Sequence, residues 1–355
     1  MLKKDDKSNK WRARIYFKGK QISMATFDKK DDAKKWEAKQ KLALVTNDWQ
    51  DDKDGDITVG AVILEFNESR AGTISAKTVD TDEANLRLHV PQALARKPIR
   101  SVQSSELLAL YSSLSKRRSH ATVKRIRDST MSLFNYAVDM GYVPHNPVKN
   151  TRVPRGDGRT DKAVRPFAPD EFQSMLAAQR DMHPRYADYV EFLRETGLRW
   201  GELVALRVGD VVTEPFDAII VRRSQYDGYP EKQTKSGRIR RVPLLGNAPA
   251  IAARYGEGRK RNERLFTSPT GAQLNNGNFK RALDWAGTAH GHREYDLRHT
   301  AATSWLQDNV DIKTVSAWLG HATTQLTLDT YSHHMGSDAD TAAIERVRKA
   351  REFGA

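Results

Sequence analysis

The stretch "REYDLRHTAATSWL" (Arg293–Leu306) reads as the start of a helix whose first turn is crowded by an arginine and a histidine. Asp296 is placed as its N-cap, and Leu297, Ala301 and Trp305 recur at helical spacing toward a core. That phase leaves Tyr295 and Arg298 at the positive end of the helix. A cation gains nothing from the macrodipole there, whereas an oxyanion is favoured. The stretch therefore predicts one wall of an anion site.

Three further segments share this oddity. In "RETGLRWGELVAL" (Arg194–Leu206), Gly197 ends one helix and Arg199 opens the next, three residues before Glu202. The runs "AIIVRRS" (Ala218–Ser224) and "GRIRRVPL" (Gly237–Leu244) predict a β-hairpin with Lys235 at its tip. In "WLGHATTQLTLDTYSHHM" (Trp318–Met335), His321 follows a Leu-Gly stop and Tyr331 lies ten residues on. Singly each is ordinary: an arginine paired with Glu202, a solvated lysine, a core tyrosine.

Taken in chain order, the pieces read Arg, Lys, Tyr-x-x-Arg, Leu-Gly-His, Tyr, and from about Pro169 to Met335 they resemble the tyrosine recombinase (integrase) family. The family pattern is an arginine in "TGLRxxEL", a hairpin lysine, His-x-x-Arg followed by His-Thr, Leu-Gly-His, and a tyrosine about ten residues later. The resemblance implies metal-free and cofactor-free phosphoryl transfer, with Tyr331 as nucleophile forming a 3′-phosphotyrosyl link. Arg199 and Arg298 would brace the non-bridging oxygens, Lys235 would protonate the leaving 5′ oxygen, and His321 would donate to a phosphate oxygen. Glu202 and His299 are expected to support them. The side-chain inventory agrees, since guanidinium forks suit phosphate oxygens and an ammonium suits proton delivery.

One position departs from the pattern. Tyr295 stands where the family usually has histidine. A neutral phenol donates well to a phosphate but is a poor base near pH 7. Tyr295 is therefore expected to be a donor, leaving the nucleophile's proton to water, the phosphate or another histidine. His333 and His334 flank Tyr331 and read as solvated surface.

Upstream, a polar linker (Lys149–Arg165) precedes this half, and before it the signal is helical: "TVGAVILEFNESR", "AKTVDTDEANLRLHV", "SSELLALYSSLS", then a long helix from Ser119. In the last, Val123, Ile126, Thr130, Leu133, Phe134 and Ala137 form the apolar stripe and Gly141 is the stop. Lys116, Arg117, Arg118, Lys124, Arg125 and Arg127 lie at its start and off the stripe, as a DNA-binding face. Residues 61–155 carry 15 basic and 8 acidic side chains, the most basic segment for its length. With a net charge of +14 overall, a polyanionic partner is favoured.

At the start, "WRARIYFKGKQISMATF" alternates apolar and basic: Trp11, Ala13, Ile15 and Phe17, then Ile22 and Met24, share one hairpin face, with Arg12 and Arg14 on the other as DNA contacts. Asp28 caps a following helix that turns Ala33 and Trp36 toward the sheet. "NDWQDDKDGD" (Asn47–Asp56) is a linker.

The fold class expected is therefore multidomain. A small β-hairpin-plus-helix domain (residues 1–50) precedes an all-α core-site-binding domain (57–150) and a mixed α+β, mainly helical catalytic domain with a C-terminal tail (165–355). In the family's terms the first two domains correspond to arm-site and core-site DNA binding. The resemblance implies double-stranded DNA bearing both site types as partner, a homotetramer on DNA, and a DNA-bending host factor and an excisionase as further partners. A stripe of Ile344 and Val347 in the tail is expected to dock on a neighbouring subunit. The absence of cysteine removes disulfide and thiolate chemistry and fits a reducing compartment, and no apolar run reaches a membrane span. The cytoplasm of a bacterial host is the expected location. The competing readings are a non-catalytic DNA-binding protein on the same fold, a chromosome-dimer-type recombinase and a topoisomerase.

Overall fold

The computed structural model describes residues 2–4, 10–17, 20–45, 57–154, 164–233 and 239–331, together with residues 344, 348 and 351. Lys235, His333, His334, Val347 and most of both linkers lie outside these residues. The chain divides into two compact units, residues 1–161 and 162–355.

In the first unit, strands β1 (Leu2–Lys4), β2 (Trp11–Phe17) and β3 (Lys20–Phe27) form an antiparallel sheet in that order. The expected hairpin thus gains a third strand from a segment that shows only charge in the sequence. Ala13 and Ile15 are buried, and α1 (Lys30–Val45) lays Ala33 and Trp36 over the sheet, with Trp36 tilted against Phe27 at 5.8 Å. Asp28 forms an ion pair with Lys10. The expected phase of β3 needs correction. The register jumps between Ile15–Ser23 and Tyr16–Gln21, so Ile22 is the extra residue of a bulge, and Met24 pairs with Arg14 on the outer face. Because one inserted residue reverses every side chain beyond it, Ala25 and Phe27 take the inner face and Met24 is exposed.

The helical part of this unit contains α2 (Val59–Ser69), α3 (Ala76–His89), the short α4 (Gln92–Ala95), α5 (Ser104–Ser115) and α6 (His120–Asp139). Thr58 and Ser119, where the helical signals begin in the sequence, cap α2 and α6 through their side chains. All six residues of the α6 stripe are buried against Val62, Phe66, Leu86, Leu107 and Tyr111. Lys116, Arg117, Arg118, Lys124 and Arg125 are exposed. Arg127 is committed elsewhere: its Nε donates to the Thr151 carbonyl and hydroxyl, both at 3.3 Å, tying α6 to the segment that leaves the bundle.

The second unit is mainly helical, with a small sheet. Helices α7 (Pro169–Met182), α8 (Pro184–Thr196) and α9 (Trp200–Ala205) lead into strands β4 (Val211–Val212), β5 (Ala218–Val221), β6 (Arg223–Ser224), β7 (Lys232–Gln233) and β8 (Arg240–Pro243). β4, β5 and β8 form one antiparallel sheet and β6 and β7 another. Then follow α10 (Ala248–Gly256), α11 (Asn276–Ala282), α12 (Trp285–Thr288), α13 (Asp296–Gln307), α14 (Ile312–Leu319) and α15 (Thr324–Tyr331). Tyr189, Phe192, Phe266 and Phe279 centre the larger core, while Ala301, Ala302, Trp305, Val315, Leu319 and Tyr331 form a second one between α13, α14 and α15. Gly197 closes α8 at φ +59°, and any Cβ there would sit 3.0 Å from the Trp305 ring, so glycine serves both the turn and the packing.

Candidate active site

Helix α13 differs from its sequence reading in two respects. Asp296 is its first helical residue and not its N-cap: its carboxylate reaches back to the Arg293 backbone N–H at 2.7 Å and to the Arg293 guanidinium at 3.0 Å. A turn from Arg293 precedes the helix, and the Asp296 carboxylate caps that turn from its third following position. Nor is α13 amphipathic. Eight of its residues are buried, because both α8 and α14 pack on it, and Leu297, Ala301 and Trp305 meet the core as expected.

Arg298, only 1% exposed, is one of those eight. Its two terminal nitrogens donate to the carbonyls of Gly197 (2.7 Å) and Leu319 (2.5 Å), the ends of α8 and α14. Arg199, placed where α9 begins, donates to the same Leu319 oxygen at 3.4 Å and to Glu202 at 3.0 Å. Glu202 also accepts from the Arg199 backbone N–H at 2.9 Å, so one carboxylate caps α9 and steadies the arginine in front of it. The shared Leu319 oxygen brings Arg199 and Arg298 together from points 99 residues apart in the chain.

Arg240, at the start of β8, belongs to the same cluster and was not singled out in the sequence. It grips Glu202 with two parallel bonds (2.9 and 2.7 Å) and donates through Nε to the Trp318 carbonyl at 2.8 Å. Its signal in the sequence was faint: in "RIRRVPL" strand alternation sends Arg240 and Arg241 to opposite faces, and only folding brings Glu202 to the first of them. Gly320, which closes α14 at φ +66°, leaves room for it, since a Cβ there would lie 2.9 Å from Arg240 Cδ.

Three guanidinium groups therefore face one buried carboxylate, and the cluster carries surplus positive charge. Burial pushes the Glu202 pKa up, but hydrogen bonding and attraction from Arg240, then Arg199 and Arg298, outweigh it and hold it at about 2. Arg298 is lowered to about 10 by burial and by the neighbouring Arg199. At Arg199 burial acts to lower the value, and Glu202 and Tyr295 together reverse that. Among the described residues, no group of three His, Asp or Glu side chains is gathered to hold a metal ion.

His321 follows the glycine stop, with Nδ1 2.7 Å from the buried Thr327 hydroxyl. Burial and the three arginines lower its pKa to about 4, so its ring is neutral at pH 7 and presents a single N–H. Tyr331 ends α15, with only 1% of its surface exposed, and its hydroxyl lies 2.8 Å from Nδ1 of His299. Burial holds its pKa above the ordinary tyrosine value. Tyr295 is exposed and packs edge-on against the His299 ring, with centroids 5.1 Å apart. Of the sequence-predicted catalytic residues, Arg199, Arg298, Glu202, His299, Tyr295 and Tyr331 are thus joined by direct contacts or by charge, and His321 feels the same arginines.

Residues 166–337 match the phage integrase family model, and residues 59–153 match the phage integrase central domain. The XerC-like tyrosine recombinase of Caldanaerobacter subterraneus is 24% identical over 267 residues, covering 65% of this chain and 67% of that protein. The tyrosine recombinase XerC of a Roseiflexus species is 27% identical over 277 residues, covering 74% and 83%. Among solved structures, the Tn1549 transposon integrase in complex with a circular intermediate DNA superposes with a TM-score of 0.67 at 22% identity, over 82% of this chain and 99% of that one. A lambda integrase tetramer bound to a Holliday junction gives 0.60 at 17%, over 91% and 96%. The chain belongs to the phage integrase family of tyrosine recombinases, enzymes that recombine DNA at specific sites.

Proposed function

We propose that this recombinase is the integrase of a phage or other mobile element, cutting and rejoining DNA through a 3′-phosphotyrosyl intermediate. The observation that carries the reading is the meeting of Arg199 and Arg298 on the Leu319 carbonyl, with Arg298 on the same helix turn that holds His299 against the Tyr331 hydroxyl. Tyr331 attacks the scissile phosphorus and the P–O5′ bond breaks. The two arginines neutralise the charge developing on the non-bridging oxygens. His321 donates its single N–H to one of those oxygens, and the exposed Tyr295 hydroxyl donates to the phosphate. Lys235 protonates the departing 5′ oxygen. Glu202 holds the arginines apart from solvent counterions.

In this reading residues 1–50 bind arm-type sites and residues 57–150 bind core-type sites through Lys116, Arg117, Arg118, Lys124 and Arg125, with Arg12 and Arg14 serving the arm site. Four copies assemble on DNA, with a DNA-bending host factor and an excisionase as partners. The Tn1549 integrase likeness supports a mobile element. A second reading, a chromosome-dimer recombinase, is favoured by the XerC names of the curated relatives.

The test is a suicide DNA duplex nicked beside the cleavage position. The parent protein is expected to form a covalent protein–DNA adduct and Tyr331→Phe none. Tight binding without adduct by the parent would instead identify a non-catalytic DNA-binding protein.

A further inference from the structure

The proposed chemistry leaves one proton unassigned, the one that Tyr331 loses as it attacks. We propose that His299 takes it, and that Tyr295, standing where the family usually has histidine, serves as the wall that fixes the His299 ring. This rests on the nucleophilic role given to Tyr331 above.

The geometry is direct. His299 Nδ1 lies 2.8 Å from the Tyr331 hydroxyl, a hydrogen-bond distance to the atom that reacts. Both groups are anchored. Tyr331 closes α15 and is buried, and His299 follows Arg298 on α13, so the element that braces the phosphate also presents the acceptor. The His299 ring stands edge-on to both tyrosines, at 5.1 Å and 77° to Tyr295 and 5.7 Å and 61° to Tyr331, which restricts its rotation. Chemistry separates the two candidates for the acceptor. An imidazole has an ordinary pKa of about 6.5, close to working pH, whereas a neutral phenol offers only a weakly basic oxygen. The burial that raises the Tyr331 proton affinity makes an adjacent acceptor more necessary.

The step balances as follows. His299 begins neutral with its proton on Nε2. The Tyr331 Oη–H proton passes to Nδ1 while Oη bonds to phosphorus and the P–O5′ bond breaks, and O5′ takes a proton from the general acid. On rejoining, the 5′ hydroxyl attacks, its proton returns to that acid, the tyrosyl oxygen leaves, and imidazolium Nδ1 gives Tyr331 its proton back.

The experiment measures single-turnover cleavage of the nicked suicide duplex by the full-length protein with two nucleophiles, tyrosine and a more acidic difluorotyrosine at position 331. His299→Asn and His299→Gln are expected to slow cleavage roughly 10²- to 10⁴-fold with ordinary tyrosine while DNA binding is unchanged. Difluorotyrosine should recover about tenfold or more of that loss, because a nucleophile already ionised needs no acceptor. Tyr295→Phe, which keeps the ring wall, should lose the same smaller factor with either nucleophile. Cleavage by both His299 variants within about threefold of the parent, or an equal loss with both nucleophiles, overturns the assignment. A parent that forms no adduct overturns the nucleophilic role of Tyr331 itself, and this inference with it.

Discussion

Glu202 and His321 make the site sensitive to acid in two separate windows. Glu202 has a pKa of about 2 in the fold against an ordinary carboxylate value, so its contribution is complete above about pH 4.5 and is lost as pH falls toward 2. His321 is also depressed, to about 4, which means that folding favours the neutral ring. Its contribution is complete above about pH 6.5 and is lost between there and pH 4. Urea denaturation at pH 7.5 and pH 5 should therefore show a loss of stability that His321→Gln reduces, while the further loss below pH 4.5 persists in that variant. Arg240→Gln tests the other side of the cluster. It leaves Glu202 without its two-bond partner in a buried setting and should destabilise the protein by about 3–5 kcal/mol, read as a lower urea midpoint. At this scale the sequence was most informative where a residue type conflicts with its local setting. Arg298 at a helix start stood out in that way, whereas Arg199, His321 and Tyr331 were ordinary singly and became legible only through their order along the chain. Arg240 did not, because a basic residue on a short strand is ordinary until a partner 38 residues away arrives beside it.

At the level of elements, two glycines set the site. Gly197 ends α8 so that its carbonyl meets Arg298, and Gly320 ends α14 so that Arg240 passes behind it. Gly320→Ala would place a methyl group against Arg240 in a left-handed backbone position, so a cost of roughly 1–3 kcal/mol is expected. Cleavage should fall more than DNA binding does, measured by adduct formation beside gel shift. The helices themselves were readable from apolar spacing: α2 and α6 begin beside Thr58 and Ser119, where the helical signals start, and the α6 stripe is buried throughout. The errors have specific physical causes. A one-residue bulge reversed the face of Met24, and a preceding turn displaced the cap from Asp296. β1 was missed because a three-residue charged strand has neither length nor alternation to betray it, and pairing with β2 alone makes it a strand. Helix α13 misled in the other direction, since a helix packed against more than one neighbour hides polar residues that a one-sided reading assigns to water.

For the molecule as a whole, the most basic segment is the helical bundle, while the residues proposed for catalysis lie in the second unit, and the two proposed jobs are expected to separate under mutation. Replacing Lys124 and Arg125 together by glutamine should weaken core-site binding and flatten its salt dependence by about 0.9 per lost phosphate contact on a log–log plot, leaving cleavage of saturated DNA unchanged. Deleting residues 1–56 should preserve core-site adduct formation and abolish integrative recombination, and integration at the parent rate would refute arm-site binding by that segment. Salt also distinguishes what recruits DNA from what acts on it. The exposed Lys124 and Arg125 of α6, and Lys116, Arg117 and Arg118 before it, are open to competing ions. Arg298 is held by main-chain oxygens at the carboxyl ends of two helices, and Arg240 by the buried Glu202 carboxylate and one further main-chain oxygen, partners built into the fold and not exchangeable with dissolved ions. In concentrated salt the protein should therefore release its DNA while the buried arginine cluster stays assembled, a state in which arginine side-chain NMR signals persist and dilution alone restores activity.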